Sequence, residues 1–203
     1  NQLSAMLNHA VRYYGLDSNP MVKVGKIGSK QAEEMSFWTK EEYLHFSREI
    51  MDKPQSFIAF ELLYWCGLRL GEMLALTPAD FDFKNKRLSV TKSYQRMHRE
   101  DVITAPKTPK SVRTIVMPSF LVDEVIDFMK CIPDLRDFDR LVPATKSFLH
   151  HEMDRGSKAA GVKRIRIHDL RHSHVSLLIE LGYSALAIAD RLGHESTEVT
   201  MRY

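Results

Sequence analysis

The chain has almost no means of covalent bracing. Only two cysteines, Cys66 and Cys131, occur in 203 residues, each inside an apolar stretch of helical spacing. They cannot supply a disulfide framework, and a reducing compartment is expected. No run of 18 apolar residues and no signal-peptide pattern is present, so a soluble, cytoplasmic protein without a membrane partner is expected. Charge of one sign is scarce as well: the formal net charge is +3, too small to name a partner. What is present is size and placement. The length and apolar content suit one sizeable domain plus a fragment, with a real core. Nine Lys or Arg stand between Lys84 and Arg113 against Glu100 and Asp101. A second basic stretch runs through Arg155, Lys158, Lys163, Arg164, Arg166 and Arg171, relieved by Asp169. Basic side chains gathered in this way point to a polyanionic partner, a solvated charged face being the bland alternative.

Apolar periodicity organises the rest. Leu3, Met6, Leu7, Ala10, Val11 and Tyr14 recur at three- and four-residue steps, an amphipathic helix closed by Gly15 and Pro20. It starts without a cap, as the tail of a preceding domain would. Residues 21–36, rich in lysine and without an apolar period, read as linker. Thr39 and Glu42 have capping-box spacing and predict a helix over 39–51. The stretch 55–66 is apolar nearly all round, as a buried helix would be, and Arg69 follows it directly. Thr77-Pro78 closes a short helix that carries Glu72. Strands are expected at 81–83, 87–91, 94–104 and 111–117, together forming one small antiparallel sheet. Helices are expected at 119–131, 147–160, 168–181 and 184–192 and from 195 onward, with Gly161 and Gly182 as stops. The fold class is therefore α+β and mostly helical.

Two clusters carry chemistry. Cys66-Gly-Leu-Arg69-Leu-Gly-Glu72 sets an arginine after a glycine and an acid three residues later, on one side of a helical turn. Far downstream, His168-Asp-Leu-Arg171-His172 is followed by Leu192-Gly-His194 and, nine residues beyond, by Tyr203. Between them, Thr104-Ala-Pro106-Lys107-Thr108-Pro-Lys110-Ser111 is a proline-punctuated turn with Lys107 near its tip. Arginine offers a planar fork for two phosphate oxygens, histidine moves a proton near neutral pH, and a tyrosine phenol can attack phosphorus. In this order the residues resemble the catalytic domain of a tyrosine recombinase, close to the integrases of phages and conjugative transposons. The likeness covers residues 37–203, with arginine, lysine, His-x-x-Arg, Gly-His and tyrosine boxes in family order.

Each box has a chemical reason. Attack on a phosphodiester builds charge on its equatorial oxygens, so fixed cations must wait there, and Arg69 and Arg171 are the expected clamp. With a pKa near 10, only about one phenol in a thousand is ionised at pH 7, a handicap of roughly 4 kcal/mol. Tyr203 therefore needs a base, and His168, one turn before Arg171, is placed to serve. Lys107 is the expected general acid for the leaving 5′ oxygen, and Lys110, three residues on, stays open as the alternative. The resemblance implies that His194 donates a hydrogen bond to the scissile phosphate and that Glu72 is an auxiliary acid orienting the cations and the histidine. The plainer readings are a helix cap for His194 and a helix-terminal ion pair for Glu72. His150, His151, His172 and His174 match no box and are read as packing, capping or phosphate contacts.

The resemblance also implies a domain plan and a set of partners. Residues 1–20 would be the last helix of a core-binding domain that helps to encircle DNA, 21–36 a linker, and 37–203 the catalytic domain. Double-stranded DNA is the expected substrate, with a homotetramer of the full-length protein on two duplexes and accessory DNA-bending or directionality factors. A mobile bacterial element is the expected source. No cofactor is expected, because a 3′-phosphotyrosyl link keeps the phosphodiester energy without metal or ATP. Three alternatives stand beside this reading. Type IB topoisomerases use a similar arginine, lysine and tyrosine set without exchanging strands. The His168 and His172 spacing resembles a zinc hydrolase, although Asp169 replaces the glutamate base and Arg171 sets a cation beside the metal. The third is a catalytically dead DNA-binding module.

Overall fold

The computed structural model describes residues 2–24, 36–98, 100–106 and 108–193. The chain divides into two units, Asn1–Glu34 and Met35–Tyr203. In the first, α1 (Gln2–Tyr13) follows the expected period, and none of its residues is buried. Asn19 braces the unit from inside: its amide donates to Asn8 Oδ1 at 2.6 Å and to the Ser4 carbonyl at 3.1 Å. Its carbonyl oxygen accepts from the Met21 N–H at 2.9 Å, the geometry with which a short polar side chain starts a helix. One turn follows, α2 (Met21–Val24), inside the segment read as linker.

The second unit is built around α4 (Pro54–Cys66). Proline opens it where its missing N–H costs nothing, and Gly67 ends it in the left-handed region. As the unbroken apolar character of the stretch predicts, nine of its residues are buried. The preceding helix, α3 (Lys40–Glu49), starts at the expected capping box: the Glu42 N–H donates to Thr39 Oγ1, and the Thr39 N–H to Glu42 Oε2. Aromatic rings join the two helices. Tyr43 stacks on Tyr64 at 3.6 Å between centroids, and Phe46 meets Phe60 edge-on at 5.0 Å. Each such burial contributes about 1.5–3 kcal/mol. Trp38 ties the start of α3 to the far end of the chain, its indole N–H donating to the Lys163 carbonyl at 2.7 Å and its backbone N–H to Ser173 Oγ at 2.9 Å.

Among the described residues the remaining α-helices are α5 (Leu70–Leu74), α6 (Ser119–Lys130), α7 (Lys146–Ala160), α8 (Asp169–Glu180) and α9 (Ala185–Leu192); the helix expected from 195 onward lies outside the described residues. Strands β1 (Phe81–Asp82), β2 (Arg87–Val90) and β5 (Arg113–Val116) form an antiparallel sheet in the order β1-β2-β5, with Leu88 opposite Ile115 and both buried. The expected single strand over 94–104 is instead a separate hairpin of β3 (Ser93–Met97) and β4 (Glu100–Thr104). His98, at φ 51°, turns the chain back there, and no glycine or Asn-Gly pair marks the reversal in the sequence. Cys66 is buried and Cys131 exposed, and both are free thiols. Among the described residues no helix is long and apolar enough to cross a membrane.

Candidate active site

The site grows from the end of α4. At Gly67 (φ 61°) a side chain could not fit: a Cβ there would lie 2.6 Å from His174 Cδ2 on α8 and 2.8 Å from Leu192 Cδ2 on α9. The bare backbone lets three helices converge, and Arg171 fastens them. This side chain is buried, donating from Nη1 to the Gly67 carbonyl at 2.7 Å and from Nη2 to the Leu192 carbonyl at 2.6 Å. The last carbonyls of α4 and α9, which no helical N–H can satisfy, thus fix the plane of one guanidinium. Two residues past Gly67 the chain is extended at Arg69, which precedes α5.

Arg69 and Glu72 meet as their spacing predicts. Arg69 Nη1 donates to Glu72 Oε1 at 2.7 Å and its backbone N–H to Oε2 at 3.0 Å. A second arginine, absent from the sequence reading of the site, completes the cluster. Arg113 on β5 donates from Nη2 to Glu72 Oε2 at 2.8 Å, from Nη1 to Oε1 at 3.1 Å and from Nε to the Arg191 carbonyl at 2.9 Å. Burial alone raises the Glu72 pKa. The Arg113 guanidinium, with help from Arg69, outweighs it and holds the carboxyl down to about 2. Arg113 belongs by sequence to the basic stretch expected to face a polyanion, but its side chain is 5% exposed and faces inward, which corrects that expectation for this residue. Strand parity carried the signal: Arg113 shares its face with buried Ile115, two residues on.

His168 sits at the start of α8, its carbonyl accepting the Arg171 N–H at 3.1 Å. Its pKa is lowered, first by burial and then by the positive charge of Arg171, with Arg69 adding to the effect and Asp169 opposing it. A lowered value keeps the imidazole neutral at pH 7, the form that accepts a proton. The His172 ring lies edge-on to it at 5.1 Å. Asp169 is engaged by Arg166, with Nη2 to Oδ1 at 3.0 Å, and the same oxygen lies 3.8 Å from His172 Nε2. Among the described residues no three His, Cys, Asp or Glu side chains come together as a metal-ligand set.

Arg69, Glu72, His168 and Arg171 are therefore brought together. Lys107, His194 and Tyr203 lie outside the described residues, as do all residues after Gly193; Pro106 and Thr108 on either side of Lys107, and Gly193 before His194, are described. Gly193, in the left-handed region, abuts the short turn Pro109–Ser111: a Cβ on it would lie 2.6 Å from the Lys110 carbonyl. Part of the second basic stretch is neutralised where it stands, Arg155 by Glu152 and Asp52 and Arg164 by Asp154.

A mostly helical α+β domain that draws an arginine and acid pair and a His-x-x-Arg turn to one place has the catalytic fold of the tyrosine recombinases. The chain belongs to the phage integrase family, which it matches over residues 38–203. It is 31% identical to the ICEBs1 integrase of Bacillus subtilis (strain 168) over 98% of this chain and 58% of that protein. It is 28% identical to the integrase of Mycobacterium phage L5, over 100% of this chain and 56% of that one. The chain thus spans just over half the length of these relatives. In structure it resembles the Tn1549 transposon integrase in complex with a circular intermediate DNA, with a TM-score of 0.79 and 21% identity over 98% of this chain and 71% of that one. A lambda integrase dimer bound to a core site gives a TM-score of 0.68 at 19% identity, over 97% of this chain and 70% of that one.

Proposed function

We propose that this chain is the catalytic part of a site-specific DNA recombinase, the integrase of a mobile bacterial element, working on double-stranded DNA in the cytoplasm. The observation that carries the reading is the pair of arginines, Arg69 and Arg171, gathered with Glu72 beside one neutral imidazole at His168. The Tn1549 and lambda integrases, solved on DNA, support the choice of substrate.

In this reading Tyr203 Oη attacks the phosphorus while Arg69 and Arg171 hold its non-bridging oxygens. The phenolic proton passes to His168, the bond to the 5′ oxygen breaks, and Lys107 supplies that oxygen with a proton. His194 donates to the same phosphate, and Glu72 keeps Arg69 in place. A 5′ hydroxyl of the partner duplex then attacks the 3′-phosphotyrosyl link and the protons return, so no metal or ATP is consumed. Residues 1–20 serve as the end of a core-binding domain, 21–36 as its linker and 37–203 as the catalytic domain. Four protomers would act together on two duplexes, with DNA-bending or directionality factors as accessories. Relaxation without strand exchange, as in type IB topoisomerases, is not favoured, since the relatives are integrases.

The test is Tyr203→Phe in the full-length protein on a nicked suicide substrate. Covalent attachment is expected to vanish while DNA affinity stays within a few fold, because little but the nucleophile is removed. A protease-resistant DNA adduct formed by the Phe variant would sink the assignment.

A further inference from the structure

Around Glu72 the charges do not cancel, and the imbalance is spatially ordered. One carboxylate accepts from two guanidinia: Oε1 from Arg69 Nη1 at 2.7 Å and Arg113 Nη1 at 3.1 Å, and Oε2 from Arg113 Nη2 at 2.8 Å and the Arg69 N–H at 3.0 Å. The Glu72 and Arg113 side chains are 3% and 5% exposed, whereas that of Arg69 is 39% exposed. An acid and a base are thus matched inside, and the surplus positive charge lies on the arginine that reaches the surface. Without Arg113, Glu72 and Arg69 would form an ordinary one-to-one ion pair. A phosphate approaching Arg69 would then meet a cluster of zero net charge, with a buried carboxylate behind the guanidinium.

We infer that Arg113 is a positioning residue of the strand-transfer site, which neutralises Glu72 so that Glu72 can orient Arg69 without cancelling its charge. The inference rests on the proposed strand-transfer reading. Two further bonds suit Arg113 to the task, because they make its own position independent of Glu72. Its Nε donates to the Arg191 carbonyl at the end of α9, and its Nη1 to the Ser111 carbonyl at 3.1 Å, in the turn that follows Lys107. One buried guanidinium therefore braces the acid of the arginine box, the lysine turn and the helix end before Gly193-His194. Glu72 also stays ionised throughout the working pH range, being held down to about 2.

Charge arithmetic separates this role from simple packing. In the full-length protein, adduct formation on a nicked suicide substrate is measured at saturating DNA, with folding checked by thermal melting. Arg113→Gln should slow cleavage about a hundredfold with DNA affinity within a few fold, and Arg113→Lys, which keeps the cation, should stay within about tenfold of the parent. Adding Glu72→Gln to Arg113→Gln restores the sum of charges and should recover about tenfold or more over the single variant. A double variant no faster than Arg113→Gln, or an Arg113→Gln protein with the parental rate, overturns the inference. Should Arg113→Gln fail to fold, the other two decide: each cleaving within about tenfold of the parent supports the role, and either one folded but inert refutes it. A parent protein that forms no adduct refutes the strand-transfer reading itself, and this inference with it.

Discussion

Two buried carboxylates on consecutive helices have opposite surroundings. Glu61, on α4, accepts from the Tyr43 hydroxyl at 2.8 Å, the Ser47 hydroxyl at 2.7 Å and the Trp65 indole N–H at 2.7 Å, all neutral donors. Burial outweighs these bonds and raises its pKa. Nearby Glu124 is pushed to about 7, by burial and then by Glu61. Glu72, on α5, is as deeply buried but faces Arg113 and Arg69, and lies at about 2. Burial acts with one sign on both acids; the charge of the partners decides the outcome. Three neutral donors make a polar brace inside a scaffold, and two cations make a permanent charge cluster that can meet a phosphate.

The severest challenge to the cation-held side of this comparison is Arg171→Lys. An ammonium cannot span the Gly67 and Leu192 carbonyls while also gripping a phosphate, so cleavage should fall roughly a hundredfold or more, close to the loss in Arg171→Ala. Near-parental cleavage by the lysine variant would reduce Arg171 to a structural staple.

The acids themselves can be set against each other by unfolding in urea. Glu72→Gln strands a buried guanidinium and should cost about 3 kcal/mol. Glu61→Gln keeps its neutral partners and should cost about 1 kcal/mol, with cleavage unaffected. Their pH dependences should differ in sign. Glu72 has a folded pKa below its ordinary 4.5, so its contribution is present above that value and is lost as the pH falls toward about 2. Glu61 has a raised folded pKa, so the parent gains on Glu61→Gln as the pH falls toward 4.5. Parallel pH curves for the two variants would erase the distinction.

A histidine sharpens the same contrast, because burial and cations act in one direction on its proton. The pKa of His168 is lowered by burial, Arg171 and Arg69, so the acid limb of the cleavage rate should lie below the ordinary 6.5. A limb at or above 6.5, measured at subsaturating DNA where the rate reports the free protein, would contradict the role of His168 as the neutral base. The smallest effect is expected where cations face water. Arg155→Ala breaks pairs with Glu152 and Asp52, and should change stability by about 1 kcal/mol or less while leaving the salt dependence of DNA affinity unaltered. A shallower salt slope in that variant would put Arg155 on DNA after all.

Local spacing made much of this legible. The capping box at Thr39, the all-round apolar α4, the glycine stop at Gly161 and the pairing of Arg69 with Glu72 all depend on residues within one or two turns of each other. The spacing of three between His168 and Arg171 likewise survives as a bond between the His168 carbonyl and the Arg171 N–H. Three other features depend on contacts that no local pattern encodes. The 94–104 stretch reverses at His98 without a glycine, so its β character was readable and its hairpin was not. Arg113 was one basic residue among nine; its direction followed from strand parity, but its partner, on a helix 41 residues away in sequence, did not. The convergence of Gly67, Arg171 and Leu192 joins the ends of three helices, and packing alone determines it. Sequence by itself thus determined that Arg69 pairs with Glu72 across one short helical turn and that His168 stands one turn before Arg171, because those are matters of residue type and helical period. Only the tertiary structure decided which buried acid received cations and which received hydroxyls, because the charge around a carboxylate is set by whatever distant elements close over it.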